Sequence, residues 1–192
     1  MNFPPTRIVH WMLAATAALA AVTAFAAEAP ATSPRNSTAA HILAVTAKVD
    51  GGMIRANAAT SRDWPSHGLD YAETRFSRLR QITDANVRNL GLVWTYNLES
   101  TRGIEATPLV VDGIMYVTAS WSIVHAIDVR TGRRLWTYDP QVRRELGYKA
   151  CCDVVNRGVA LYKGKVFVGA LDGRLIALDA ATGRKRWVAD TV

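Results

Sequence analysis

Cys151 and Cys152 are the only two cysteines in 192 residues, and they are neighbours. Redox exchange usually spaces its cysteines as CxxC, so an adjacent pair points to two other states. Either the sulfurs bond to each other or they stay as separate thiols, exposed or buried. Five residues beyond Cys152 stands Arg157, in ACCDVVNRG (150–158). The remaining chemistry-bearing residues form no recognisable site. His10, His41, His67 and His125 lack an HExxH or CxxC companion, which argues against zinc. No GxGxxG, GxSxG or Walker A pattern occurs, which argues against nicotinamide, hydrolase and P-loop chemistry.

The N-terminus bears on the state of the cysteines. WMLAATAALAAVTAFAA (11–27) is an uncharged, Ala-rich run preceded by one arginine, and Ala24-Phe25-Ala26 offers a small-x-small cleavage site. Residues 1–26 therefore read as a secretory signal peptide. A spanning helix needs about 20 strongly apolar residues, so stable membrane insertion is not expected. Export puts the cysteines in a compartment where disulfides persist. The formal charge of +7 becomes +6 if cleavage follows Ala26, with 22 Lys and Arg against 16 Asp and Glu. The arginines are scattered instead of clustered among aromatics, so a nucleic-acid partner is not expected. The basic balance reads as surface, with some attraction for small anions.

Positioning falls to the rest of the chain. Residues 27–62 are rich in Ala, Ser, Thr and Asn and read as an extension or linker, in which HILAVTAKV could form a short helix or strand. Folded structure is expected from Asp63-Trp64 onward. Beyond it lies an internal repeat: VDGIMYVTASWSIVHAIDVRTGRRLWTYD (111–139) aligns without gaps on YKGKVFVGALDGRLIALDAATGRKRWVAD (162–190), a shift of 51. Gly113 falls on Gly164, Ala126 on Ala177, Asp128 on Asp179, Gly132 on Gly183 and Trp136 on Trp187.

Each copy reads as short β-branched and aromatic strands separated by turns. In Asp-x-x-Thr-Gly the Asp side chain can close on backbone amides, and the glycine accepts φ > 0 at little cost. The tryptophan that follows is placed to pack on a neighbouring unit. Residues 86–98 look like the tail of an earlier copy, with Trp94 in the place of Trp136. Repeated units of several strands fit propeller blades, whereas a sandwich of unrelated hairpins has no reason to repeat this motif. Two blades cannot close a ring, so the sequence reads as the front of something longer.

The repeats, together with GIEATPLVVDG (103–113), ACCDVVNRG and the lead-in WPSHGLDYAETRFSRLRQI (64–82), resemble the quinoprotein alcohol dehydrogenases. These are periplasmic enzymes that use pyrroloquinoline quinone (PQQ). The resemblance spans about residues 63–192 and implies an all-β, eight-bladed propeller of which about two blades lie in this chain. It implies PQQ on the ring axis beside a calcium or lanthanide ion. It also implies a vicinal disulfide between Cys151 and Cys152, a rigid plate suited to one face of a flat quinone.

Arg157 matches the family's arginine that contacts the cofactor carboxylates, a role that a guanidinium fork fits. Glu105 matches its cofactor-binding glutamate; an acid beside an anionic ligand must either pair with Arg157 or be protonated. Trp64, Tyr71 and Phe76 are expected to belt the first strand to the last blade. The implied activity is oxidation of a primary alcohol with a cytochrome c as electron acceptor. GIEATPLVVDG and LDGRLIALD look more like the ethanol and quinohaemoprotein branch than the methanol branch. The family's catalytic aspartate and metal ligands, and any haem c domain, are expected beyond Val192, which makes this chain an inactive fragment by itself. A non-enzymatic Trp-repeat scaffold of the outer-membrane assembly type would share the repeats but have no use for Glu105, the cysteines and Arg157. A membrane-anchored PQQ sugar dehydrogenase would need several spanning helices.

Overall fold

The computed structural model describes residues 37–192, so the expected signal peptide, the start of the 27–62 segment and His10 lie outside the described residues. Its frame is two four-stranded antiparallel sheets in simple meander order. The first contains β1 (Leu109–Val111), β2 (Ile114–Thr118), β3 (Val124–Asp128) and β4 (Arg133–Tyr138). The second contains β5 (Ala160–Tyr162), β6 (Lys165–Gly169), β7 (Arg174–Asp179) and β8 (Lys185–Asp190). The strands sit where the β-branched and aromatic runs predict them, and each blade gains a short first strand as well. Register repeats with the sequence: Ile114 faces Asp128 as Lys165 faces Asp179, and a bulge follows Ala126 as another follows Ala177.

The sheets pack on each other through one apolar cluster that includes Ile114, Tyr116, Val124, Val166, Ile176 and Leu178. Every residue of β3 is buried, because this strand is covered on both faces. Short, fully buried strands carry continuous apolar runs rather than alternation, as SIVHAID does. Every residue of β8 is exposed, and Trp187 is 39% exposed.

The Asp-x-x-Thr-Gly turns have the form the residues dictate. Asp179 Oδ1 accepts from the backbone of Ala181 (3.0 Å) and Thr182 (2.9 Å), and Asp128 Oδ1 accepts from that of Arg130 (3.0 Å). Gly132 and Gly183 adopt φ of 69° and 70°, a conformation that costs a glycine little. Each turn carries a tryptophan from the preceding unit. Trp136 donates its indole N–H to the Ala180 carbonyl (3.0 Å), and Trp94 does the same to Val129 (2.6 Å). Val129 and Ala180 are equivalent under the shift of 51. A Cβ on Gly183 would stand 2.6 Å from the Trp136 ring, and one on Gly132 2.8 Å from Trp94, so the rings need glycine beneath them. Trp94 thus docks as the tail of an earlier copy would, although residues 90–98 pair in no strand.

One feature differs from the sequence expectation. Residues within the supposed extension form α1 (Ala39–Thr46), capped by Thr38, and α2 (Gly51–Asn57), capped by Asp50. Such short helices, one opening on two glycines, are marginal alone. Ile42 and Val49 join the core, and burial contributes about 1.5–3 kcal/mol for each, enough to offset that deficit. Backbone bonds from Lys163 to Val49 (2.8 Å) and Gly164 to Thr46 (3.0 Å), and a His41–Asp112 ion pair (2.9 Å), tie the helices to the first turn of each blade. Trp64 pairs with Val110 of β1 through two backbone hydrogen bonds (2.7 and 2.9 Å). Tyr71 and Phe76 are exposed.

Candidate cofactor site

A four-stranded meander has two ends. The β1–β2, β3–β4, β5–β6 and β7–β8 turns lie at one, and that end carries the repeated Asp and Gly residues. The β2–β3 and β6–β7 connections and the long 139–159 link between blades lie at the other, joined by the approach to β1. All four candidate residues come from these two inter-strand approaches, Glu105 from the first and Cys151, Cys152 and Arg157 from the second.

The structure brings the four together. Arg157 Nη2 lies 3.1 Å from Glu105 Oε2, so the acid pairs with the arginine, one of the two alternatives its sign requires. The guanidinium remains 69% exposed and keeps donors available. Cys151 and Cys152 are both exposed, with their sulfurs 2.7 Å apart. The Cys152 thiol is pushed up, first by its hydrogen bond with Cys151 and by that neighbour's charge; Arg157 pulls against this shift and Glu105 adds to it.

The backbone explains Asn-Arg-Gly. Asn156 donates from Nδ2 to the Ser122 hydroxyl (3.0 Å) and to the Gly169 carbonyl (2.9 Å), and so holds both blades. Its Oδ1 accepts from Gly158 N–H (3.0 Å). Gly158 adopts φ of 130°, and a Cβ there would meet the Thr107 carbonyl at 3.0 Å. Thr107 N–H in turn donates to the Arg157 carbonyl (3.2 Å). The main chain is thus fixed on both sides of Arg157, whose side chain pairs with Glu105.

Sequence reasoning missed three residues here. Asn156 is one. The others are Arg102 and Asp153, which form a two-pronged ion pair: Arg102 Nε donates to Asp153 Oδ2 (3.1 Å) and Nη2 to Oδ1. The hydrogen bond from Arg102 holds the Asp153 carboxyl below the usual carboxylate range, and Asp153 raises the guanidinium above its own. The shift of 51 that relates the blades also separates 102 from 153, a cue available in the sequence. Among the described residues no group of three or more His, Cys, Asp or Glu could hold a metal ion, and no helix is long and apolar enough to cross a membrane.

The arrangement suits a flat, polycarboxylated aromatic ligand. Exposed sulfurs offer a polarisable face, and a positive fork beside them can pair with a carboxylate. The residues present fit PQQ.

Comparison with known proteins agrees. The family described as "PQQ: Glucose/ethanol/alcohol dehydrogenase, beta-propeller domain" matches residues 64–187. The chain is 64% identical over 187 residues to a quinohemoprotein alcohol dehydrogenase of Comamonas testosteroni, covering 97% of this chain and 25% of that protein. It is 65% identical over 134 residues to the 1-butanol dehydrogenase (cytochrome c) of Thauera butanivorans, covering 70% of this chain and 19% of that one. The crystal structure of the Comamonas testosteroni quinohemoprotein alcohol dehydrogenase superposes with a TM-score of 0.78 at 70% identity, over 80% of this chain and 23% of that chain. The chain thus spans about a fifth to a quarter of the length of these relatives. With the family matched across both blades and the site-bearing loops, the chain belongs to the PQQ-dependent glucose/ethanol/alcohol dehydrogenase β-propeller family.

Proposed function

We propose that this chain forms one wall of the PQQ site in a periplasmic alcohol dehydrogenase. The observation that carries the reading is the exposed Arg157–Glu105 pair standing beside Cys151 and Cys152 at one end of the blades. Arg157 would pair with a cofactor carboxylate, Glu105 would orient the guanidinium, and the cysteines, joined as a vicinal disulfide, would lie against the ring. When bound, PQQ supplies a quinone that takes up two electrons as an alcohol becomes an aldehyde. No catalytic residue is assigned within 37–192; this chain's residues bind and orient, and by itself the chain is inactive.

The substrate is a primary alcohol, ethanol-like rather than methanol, in keeping with relatives named as alcohol and 1-butanol dehydrogenases. A cytochrome c acceptor agrees with the second relative's name. Calcium or a lanthanide beside the cofactor, and haem c in the complete enzyme, belong to the same reading. Residues 1–26 would direct export.

The test is PQQ titration of the full-length apoprotein with calcium present. Arg157→Ala and Cys151→Ala should each weaken PQQ binding about tenfold, as loss of a charge-assisted contact or of a packed face does. Unchanged PQQ content and turnover in both variants would overturn the assignment.

A further inference from the structure

We propose that Arg102 is a positioning residue: its fork on Asp153 sets the backbone that follows Cys152 and so fixes the spacing between the cysteine pair and Arg157. The proposal rests on the cofactor reading above.

Three observations carry it. Asp153 adopts φ of 70°, a left-handed conformation that a non-glycine residue holds only when its surroundings impose it. Its side chain is gripped from two directions, by the Arg102 guanidinium and by the Val154 N–H, which donates to Oδ1 at 2.7 Å. Asp153 is bonded directly to Cys152, so its φ sets the direction in which the cysteine peptide enters.

The second observation is a ladder. Residues 102–107 and 153–158 run side by side, joined by Arg102–Asp153, then Glu105–Arg157, then the Thr107 N–H to Arg157 carbonyl bond. The two ion pairs have opposite sense, with the cation on the first segment in one and on the second in the other. Exchange of partners across the two segments would put Arg102 against Arg157 and Asp153 against Glu105, like against like. Opposed rungs of this kind specify a single register.

Third, Asp153 is a latent competitor. Freed from Arg102, its carboxylate would be the nearest unpaired anion to the cysteine pair and could draw Arg157 away from Glu105. Arg102 keeps it engaged. The Arg102 side chain is half exposed, so its part in overall stability is small, as for surface ion pairs in general. Its effect falls on the geometry of the loop.

The experiment uses the full-length protein with Arg102→Gln, Asp153→Asn, the double variant and Arg102→Lys. Two readouts are taken. One is PQQ affinity of the apoprotein by fluorescence titration. The other needs no cofactor: after reduction and removal of the reductant, the rate at which a maleimide labels Cys151 and Cys152. Each single variant should weaken PQQ binding about tenfold and change the labelling rate several-fold, with the melting midpoint unchanged. The double variant should be no worse than the poorer single one, because both changes break one rung. Arg102→Lys keeps the charge but not the fork and should recover only part of the affinity. Wild-type affinity and labelling in Arg102→Gln and Asp153→Asn would overturn the proposal, and so would losses that multiply in the double variant. A lowered melting midpoint that accounts for the lost affinity would overturn it too. If the unmutated protein takes up no PQQ, the cofactor reading fails, and the labelling rates still decide the role of Arg102.

Discussion

The two ends of the blades obey different rules. At the turn end, Asp128 and Asp179, Gly132 and Gly183, Trp94 and Trp136 do the same work on equivalent stretches of backbone one blade apart. At the site end the copies diverge. The β2–β3 connection carries Trp121 and Ser122 in left-handed backbone, with the Arg144 guanidinium 4.4 Å over the Trp121 ring. The corresponding β6–β7 connection is a tight turn with Gly173 at φ of 86° and Arg174 clamped on Asp172. Blades stack through the turn end, where each tryptophan must meet the next turn, so that chemistry repeats. At the site end the blades are tied by contacts that do not repeat, such as those of Asn156, so its loops are free to differ, and there the candidate cofactor residues gather.

The largest test of this contrast is Trp136→Ala. The ring is 9% exposed, packs on Tyr116 at 5.8 Å and covers Gly183. Its removal should cost about 3–5 kcal/mol of unfolding free energy. Trp187 holds the equivalent place but is 39% exposed in this chain. In the 192-residue chain Trp187→Ala should therefore cost clearly less, read from the two denaturation midpoints. Equal costs would mean that the docked ring adds nothing beyond its own sheet. Next comes Gly183→Val, which forces a β-branched residue into positive φ under the Trp136 ring. Strain and overpacking together predict about 2–4 kcal/mol, and PQQ affinity should fall only as far as folding does.

Much of the turn end was legible because period, turn chemistry and aromatic position coincide in the sequence. Asp-x-x-Thr-Gly predicts its own hydrogen bonds, and a tryptophan at constant offset predicts its own docking. The helices at 39–57 were only partly legible: HILAVTAKV allowed a helix or a strand, and nothing marked α2. Their buried apolar side chains are Ile42 and Ile54, with Val49 between the helices, so they lean on contact with the blades to fold. The Trp64–Val110 pairing was not legible either, because it depends on where α2 delivers the chain. At the site, Glu105, Cys151, Cys152 and Arg157 came through family likeness. Arg102, Asp153 and Asn156 act through partners about 50 or 13 residues away, which local pattern does not expose.

Asn156→Ala probes the site end with a smaller effect. It removes two donated bonds and one accepted bond, for about 1–2 kcal/mol of stability after water compensates. Because Asn156 anchors the chain beside Arg157, PQQ affinity should drop by more than the stability loss explains. A drop in melting midpoint with unchanged PQQ affinity would show that the anchor serves the blades alone.

The smallest effect separates the two ends by pH. Burial holds the carboxyls of Asp128 and Asp179 up, but Arg130 and Ser37 at the first, and Arg186 and Thr182 at the second, outweigh it and leave both below the ordinary range. Their contribution is therefore complete above pH ~4 and fades as pH falls through the folded values, which lie lower. His125 titrates earlier. It is buried in β3, with the Tyr96 (3.0 Å) and Thr137 (3.2 Å) hydroxyls at Nδ1 and no partner for Nε2 among the described residues. Burial depresses its pKa; Glu99 opposes that shift and Arg134 assists it. The fold favours the neutral ring, so stability declines as pH drops below the unfolded value of ~6.5, until the folded ring is itself protonated. The stability profile should thus show two acid steps, one beginning near pH 6.5 and one below pH 4. His125→Gln should erase the first and leave the second. A profile flat from pH 7 to pH 4.5 in the unmutated protein would rule out the buried-imidazole account.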